Sequence, residues 1–203
     1  MAYVLALLVF AAALVQAPLA SGELWWDIGN AFGFLAFAGL LYLFLDTGFG
    51  GRQRAHKLIS YGTVALIGAH VLWLWVPDVT LWQYAAPDAP PYMLAGFAAL
   101  VLVIAMILLA LPALRRFWHT GHQNFKRWHY WLSLSAIGAA FWHIAGSGFY
   151  VSRLEAWLLL AMIVTVAGLH HRSMVPPPGS TLRQLWGLPL IAALFVSLKA
   201  LGA

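Results

Sequence analysis

The sequence contains no cysteine among its 203 residues. This absence excludes disulfide bonds, zinc–thiolate sites, iron–sulfur clusters and haem attached through cysteine thioethers. Charge is also scarce, because charged residues make up 8% of the chain, against about 25% in soluble domains. So few charges cannot cover the surface of a water-soluble enzyme. They also exclude a disordered chain and a nucleic-acid-binding chain, despite the formal net charge of +5.

Apolar sequence is abundant instead. Hydrophobic residues make up 63% of the chain, and the few charges separate apolar runs near the length of about 20 residues that a membrane-crossing helix needs. The runs predict an all-α, polytopic membrane helix bundle of about seven (six to seven) transmembrane helices, a single transmembrane domain over residues 1–203. The predicted spans are 2–19, 28–45, 57–76, 92–111, 129–150, 154–170 and 184–201.

Residues 1–20 allow two interpretations. The segment ends in Ala17, Pro18, Leu19 and Ala20, which resembles a signal-peptide cleavage site, but no basic residue precedes its apolar run. We therefore expect either an extra helix or a cleaved, signal-like segment. Neither changes the topology of the rest.

The basic residues predict the orientation. Nine of the eleven Lys and Arg residues lie in or beside alternate connections, which the positive-inside rule places in the cytoplasm. These nine are Arg52, Arg54, Lys57, Arg115, Arg116, Lys126, Arg127, Arg172 and Arg183. Five of the six acidic residues lie at the opposite ends of the spans. The sequence thus predicts a multi-pass protein of the bacterial inner (cytoplasmic) membrane, with its N-terminus inside and its C-terminus outside.

Two pairs of histidines lie in or directly beside the third and fifth predicted spans, where an ionisable group is costly and usually functional. His56 and His70 belong to the third span, and His129 and His143 belong to the fifth, each pair being fourteen residues apart. Fourteen residues bring a helix to within about 40° of its starting face and raise it by about 21 Å. Because both spans run in the same direction, we expect His56 opposite His129, and His70 opposite His143.

Two imidazoles that face each other across a helix bundle form a bis-histidine haem site. The residues between the histidines on the same faces are mostly small, which leaves room for a macrocycle. They are Ser60, Thr63 and Ile67 in the third span and Ser133, Ala136 and Ala140 in the fifth, with Gly62, Gly68 and Gly138 adding slack. We therefore predict two haem b groups bound between the third and fifth helices, with His56, His129, His70 and His143 as iron ligands.

With these four histidines the chain resembles the ferric reductase-like transmembrane domain family. That family includes the membrane parts of ferric reductases and NADPH oxidases, and the haem-binding membrane subunit of the periplasmic methionine sulfoxide reductase system. The resemblance covers about residues 28–170, so segments 1–20 and 184–201 are additional to it. Lys57 matches a basic residue that often follows the first histidine in the family, whereas Tyr130 departs from that pattern.

The resemblance implies transmembrane electron transfer by a di-haem cytochrome b. The larger family members continue into flavin and nicotinamide domains that this sequence does not contain, so the expected donor is a cytoplasmic flavin reductase or quinol. The expected acceptor is a periplasmic redox protein or a ferric chelate. The chain would then be the membrane subunit of an oxidoreductase, with the lipid bilayer around it and no nucleic-acid partner.

Two alternatives stay open. One is a quinol-oxidising cytochrome b subunit of a larger complex. The other is a proton channel or transporter that uses the histidines as a relay without haem. A relay would favour carboxylates among the histidines, and the third and fifth spans contain none.

Several basic residues are candidate partners of haem propionates. Arg54, Lys57 and Arg127 lie beside the predicted inner histidines, where the positive-inside rule alone also explains them. Arg153 lies on the predicted outer side, where basic residues are scarce, and it follows His143 by ten residues. The remaining histidines admit a metal pair, a third haem, a proton acceptor at a quinone site or no cofactor; they are His119, His122, His170 and His171.

The charge distribution can be tested by topology mapping. Reporter groups placed in the 115–127 connection should be accessible only from the cytoplasm, and those in the 77–91 connection only from the periplasm. Labelling of the first connection from the periplasm would overturn the predicted orientation.

Overall fold

The computed structural model describes residues 2–13, 24–45, 53–76, 79–112 and 122–170, and the elements of these residues are all helical. The α-helices described there are α1 (Ala2–Ala12), α2 (Leu24–Leu45), α3 (Gln53–Trp75), α4 (Pro91–Ala110), α5 (His122–Ser147) and α6 (Leu154–His170). A 3₁₀ helix, Val79–Ala85, connects α3 to α4. The predicted seventh span and the end of the first, residues 14–19, lie outside the described residues.

Within this part of the chain, three helices are long and apolar enough to cross a membrane. They are α2, α3 and α4, with 22, 23 and 20 residues. The fifth helix is longer, at 26 residues, but its sequence is more polar because it begins with a run that includes Lys126 and Arg127. The described chain is therefore an all-helical bundle that contains membrane-length segments.

The helix ends differ from the predicted spans by a few residues. The largest difference is at α5, which begins at His122 rather than residue 129, so the connection before it is shorter than predicted. Hydropathy marks only the part of a helix that is apolar, whereas the backbone hydrogen bonds continue into polar sequence. Pro91 begins α4, as expected for the first turn of a helix, where no N–H donor is needed.

The helices form two antiparallel pairs. The second helix packs along α3 and the fourth along α5, whereas α3 and α5 run parallel and approach each other closely at few backbone positions. The first helix packs against α2 and α6. The core lies around α2, where Phe37, Leu41 and Tyr42 are almost fully buried. The space between the two pairs is therefore bounded by α3 on one side and α5 on the other.

Aromatic contacts join the start of α2 to the end of α3. The indole of Trp25 stacks on that of Trp73, with ring centroids 4.2 Å apart. Trp73 Nε1 also donates a hydrogen bond to the carbonyl oxygen of Trp25, at 3.1 Å. At the same end, Trp75 stacks on Trp82 of the 3₁₀ helix at 4.6 Å. Tryptophans concentrate in this way at the interface between a membrane and water.

A buried polar cluster ties the start of α2 to the turn between α5 and α6. Tyr150 Oη donates a hydrogen bond to Asp27 Oδ1 at 2.9 Å. Asn30 Nδ2 donates to Tyr150 Oη at 3.1 Å and to the carbonyl oxygen of Trp26 at 2.8 Å. Because Asp27 and Tyr150 are only 5% and 8% exposed, the carboxylate depends on such donors to offset its lost hydration.

Removing the Tyr150 hydroxyl should destabilise this arrangement of helices. The Tyr150→Phe variant removes one hydrogen-bond donor from a buried carboxylate, at a cost of about 1–3 kcal/mol. We expect a lower midpoint of thermal unfolding for the purified protein in detergent. The matched control is Tyr61→Phe, since Tyr61 is 68% exposed. Equal midpoints for the two variants would show that the cluster does not stabilise the fold.

Candidate functional site

The structure brings the four histidines together as two facing pairs. The ring centroids of His56 and His129 are 6.5 Å apart, and their planes are inclined at 58°. Those of His70 and His143 are 6.4 Å apart, with an inclination of 74°. Within each helix the two histidines are separated by about 21 Å along the axis. The structure therefore contains two levels at which imidazoles meet between α3 and α5.

The ring separations match the geometry of a metal held between two imidazoles. With metal–nitrogen bonds of about 2.0–2.1 Å, and about 1.1 Å from each nitrogen to its ring centre, trans ligands have centroids about 6.3 Å apart. Both observed separations lie within a few tenths of an ångström of this value. Stacked rings can be closer, as Trp25 and Trp73 are at 4.2 Å, whereas inclined aromatic rings in contact also lie at such distances, as Tyr92 and His143 do at 6.3 Å. The gap between the paired rings is therefore wide enough for one coordinated metal ion.

Backbone carbonyls orient the second pair of histidines. His70 Nδ1 lies 2.8 Å from the carbonyl oxygen of Gly29 on α2. His143 Nδ1 lies 2.9 Å from the carbonyl oxygen of Tyr92 on α4. Since a carbonyl can only accept, each Nδ1 is the donor, and Nε2 keeps its lone pair. Metal-binding histidines almost always donate their other ring N–H to such an acceptor.

Both carbonyls lie one helical turn before a glycine that contacts the same histidine. A Cβ atom added at Gly33 would lie 3.0 Å from His70 Nδ1, and one added at Gly96 would lie 2.8 Å from His143 Nδ1. A larger residue at either position would therefore press on the imidazole. The bare Cα atoms let α2 approach the ring on α3, and α4 approach the ring on α5.

The first pair of histidines has a different environment. The ring of Phe125 stacks on that of His129, with centroids 5.4 Å apart. Ser60 Oγ donates to the carbonyl oxygen of His56 at 2.8 Å, and Ser133 Oγ donates to that of His129 at 2.7 Å. Both hydroxyls thus reach a carbonyl one turn back within their own helices, and Ser133 Oγ also lies 3.1 Å from Met106 Sδ on α4.

A cavity of about 530 Å³ lies beside the His70–His143 pair. Its volume is within the range of about 300–1,000 Å³ that is common for cofactor and ligand sites. Apolar and aromatic side chains form most of its wall, and the two imidazoles are among its polar groups, together with Asn30 and Ser147. Such a wall suits a flat, mostly apolar macrocycle whose metal takes ligands from above and below. The donor set and the cavity therefore fit haem at this level.

For the other predicted site residues, the structure gives only their position and exposure. Arg54, Lys57 and Arg127 are exposed near the starts of α3 and α5, at the His56–His129 end. Arg153 is exposed just before α6, at the His70–His143 end. A role for any of them with a propionate stays a prediction. His122 begins α5 and His170 ends α6, but their side chains are not described, and His119 and His171 lie outside the described residues.

A bare metal ion finds no suitable ligand set in the described part of the chain. No group of three or more His, Cys, Asp or Glu side chains converges there. Two imidazoles alone leave most coordination positions of a metal open, so a metal held by either pair would need further ligands. A porphyrin supplies four nitrogens in the plane between two axial histidines.

Sequence reasoning missed Gly33 and Gly96. It singled out Gly62, Gly68 and Gly138 as adding slack, and a Cβ atom at any of these three would meet no atom within 4 Å.

Comparison with protein-family models, with curated proteins and with solved structures finds no match to this chain. The residues and their geometry therefore carry the functional conclusion.

Proposed function

We propose that this chain is a membrane-embedded di-haem b-type cytochrome, similar to the ferric reductase-like family, that carries electrons across the bacterial cytoplasmic membrane. The single observation that supports this most is the pair of imidazole–imidazole separations, 6.5 and 6.4 Å, at two levels of one bundle. One pair at this distance is a common accident of packing. Two pairs on the same two helices, a fixed fourteen residues apart, are what two bis-histidine haems require.

The residues at the His70–His143 level would hold and tune the cofactor. Haem, when bound, supplies one-electron cycling between ferric and ferrous iron. His70 and His143 would hold the iron, and the carbonyl oxygens of Gly29 and Tyr92 would keep each Nδ1 protonated. Because two protein imidazoles would hold the iron, direct binding of oxygen there would be disfavoured.

The residues between the two levels favour electron transfer over proton transfer. Thr63 and Ala136 lie midway along α3 and α5 and are 3% and 0% exposed. Val103 and Met106 of α4 are also buried and pack in the cluster that contains Ala136. Electrons can tunnel across a layer that has no titratable groups, whereas a proton relay needs a chain of titratable groups or water. The haem-free relay is therefore the weaker alternative.

The predicted orientation assigns a direction to the flow. The His56–His129 level lies near the exposed Arg54, Lys57 and Arg127, at the end predicted to face the cytoplasm. A cytoplasmic flavin reductase with an acidic surface suits such an end, and quinol is the other donor that we carry forward. The His70–His143 level would pass the electron to a periplasmic redox protein or a ferric chelate. A quinol-oxidising cytochrome b subunit of a larger complex would use the same two haems.

Haem content tests the proposal most directly. The protein purified from cells that make haem should contain two b-type haems per chain, seen as a reduced-minus-oxidised optical difference spectrum. Acid solvent should extract both of them, because no cysteine is available to bind them covalently. Haem-free protein that remains folded would instead support the relay.

Single histidine variants test the pairing. His70→Ala and His143→Ala should each remove the same haem and leave the other, whereas His56→Ala and His129→Ala should each remove the second haem. Potentiometric titration of the four variants identifies which component is lost. Each loss should also stop electron transfer across the membrane of reconstituted vesicles. Without one haem, the electron would have to cross about 21 Å, the rise between the two histidine levels, in one step.

A variant at an exposed position of the same helix, Trp131→Leu on α5, is the matched control and should retain both haems. If His56→Ala and His70→Ala deplete the same component, the histidines do not pair between α3 and α5.

A further inference from the structure

At the His70–His143 level, each helix pair contains the same arrangement, in which a backbone carbonyl and a glycine both contact the histidine. On one side, α2 presents the carbonyl oxygen of Gly29 and the bare Cα of Gly33 to His70. On the other side, α4 presents the carbonyl oxygen of Tyr92 and the bare Cα of Gly96 to His143. The acceptor precedes the glycine by four residues in both helices. The same local geometry is thus built twice, on elements that carry none of the four histidines.

Helix geometry explains the four-residue spacing. A side chain on an α-helix tilts toward the N-terminus, so it covers the turn that precedes it. The side chain of residue i+4 therefore shields the carbonyl of residue i from a neighbouring helix. Glycine at i+4 removes that shield. The carbonyl can then accept a second hydrogen bond from an imidazole while still accepting the one within its own helix.

We infer that Gly33 and Gly96 are positioning residues for the haem at the His70–His143 level, and that they lower its reduction potential through the carbonyls of residues 29 and 92. This inference rests on the proposed function. A carbonyl that accepts the Nδ1 proton makes the imidazole a stronger electron donor at Nε2. A stronger donor stabilises ferric iron more than ferrous iron, which lowers the potential.

Alanine at either glycine should therefore act on one haem only. The added methyl group pushes the imidazole away from its carbonyl, which weakens the hydrogen bond and turns the ring. We expect a higher potential for the His70–His143 haem and a loss of about 10–100-fold in its affinity, the usual effect of removing such a partner. The Gly96→Ala effect should exceed that of Gly33→Ala, because its Cβ would lie 2.8 Å rather than 3.0 Å from Nδ1.

Other positions of α2 and α4 supply matched controls. On α4, Leu94 is 43% exposed, so both haems should keep their potentials in Leu94→Ala. Gly39→Ala disturbs the same contact between α2 and α3 as Gly33→Ala, since its Cβ would lie 2.5 Å from Thr63 Oγ1. It does so near the middle of the helices, away from His70. A loss of stability without a selective change at one haem is therefore expected for Gly39→Ala.

The experiment uses the full chain with its haems in detergent. Potentiometric titration resolves the two haems, and electron paramagnetic resonance of the ferric protein reports the ligand geometry of each one. Haem retention during dilution measures relative affinity. The inference is supported if Gly33→Ala and Gly96→Ala alter the component that His70→Ala removes, in potential and resonance signal, while the other haem is unchanged.

Three results would overturn the inference. Unchanged potentials and signals in both variants would exclude a positioning role, although the di-haem proposal would stand. Equal changes at both haems, matching those of Gly39→Ala, would show that Gly33 and Gly96 contribute only to general helix packing. Wild-type protein without haem would refute the proposed function and the inference together. If Gly96→Ala does not fold, Gly33→Ala decides the question, because its Cβ would lie 3.0 Å rather than 2.8 Å from Nδ1 and requires a smaller shift.

Discussion

The distance between two facing imidazoles decides what this bundle can hold. Rings in contact exclude a metal, and rings much farther apart cannot share one. The observed separations of 6.4 and 6.5 Å lie close to the value for two trans ligands. The helices that carry the histidines do not set this distance by touching each other, because α3 and α5 make few close backbone approaches. It is set by α2 and α4, each of which packs along one histidine-bearing helix.

The lack of water inside a membrane explains how the polar side chains of the bundle are satisfied. Each backbone carbonyl has a second lone pair, and in an apolar bundle these lone pairs are the most abundant acceptors. Ser60 and Ser133 use carbonyls of their own helices, whereas His70 and His143 use carbonyls of a neighbouring helix. The difference has a chemical consequence. A hydrogen bond within a helix only satisfies the hydroxyl group, whereas a hydrogen bond between helices fixes the orientation of the imidazole ring.

The sequence predicted the helices and the alignment of the histidines, because both depend on patterns within one helix. Hydropathy located α2, α3 and α4 to within a few residues, and the fourteen-residue spacing set His56 opposite His129. Patterns within one helix could not predict the contacts between helices. Gly33 meets a histidine 37 residues away, and Asp27 meets Tyr150 across 123 residues. Neither partner is marked by local periodicity, since glycine is common in membrane helices and a lone acid at a helix start suggests only topology.

The division of the bundle into two helix pairs would make the proposed haems part of the fold. One histidine of each proposed site belongs to the α2–α3 pair and the other to the α4–α5 pair. The pairs already touch where α2 packs on α5, as in the stacking of Phe44 on Tyr130, and two iron-centred bridges would add to what holds them in register. A ligand that binds only the folded state stabilises it in proportion to the logarithm of its concentration over its dissociation constant. Assembly of the bundle and loading of haem are then coupled, and the Asp27–Tyr150 hydrogen bond between α2 and the end of α5 would keep the pairs aligned before the iron ligands close.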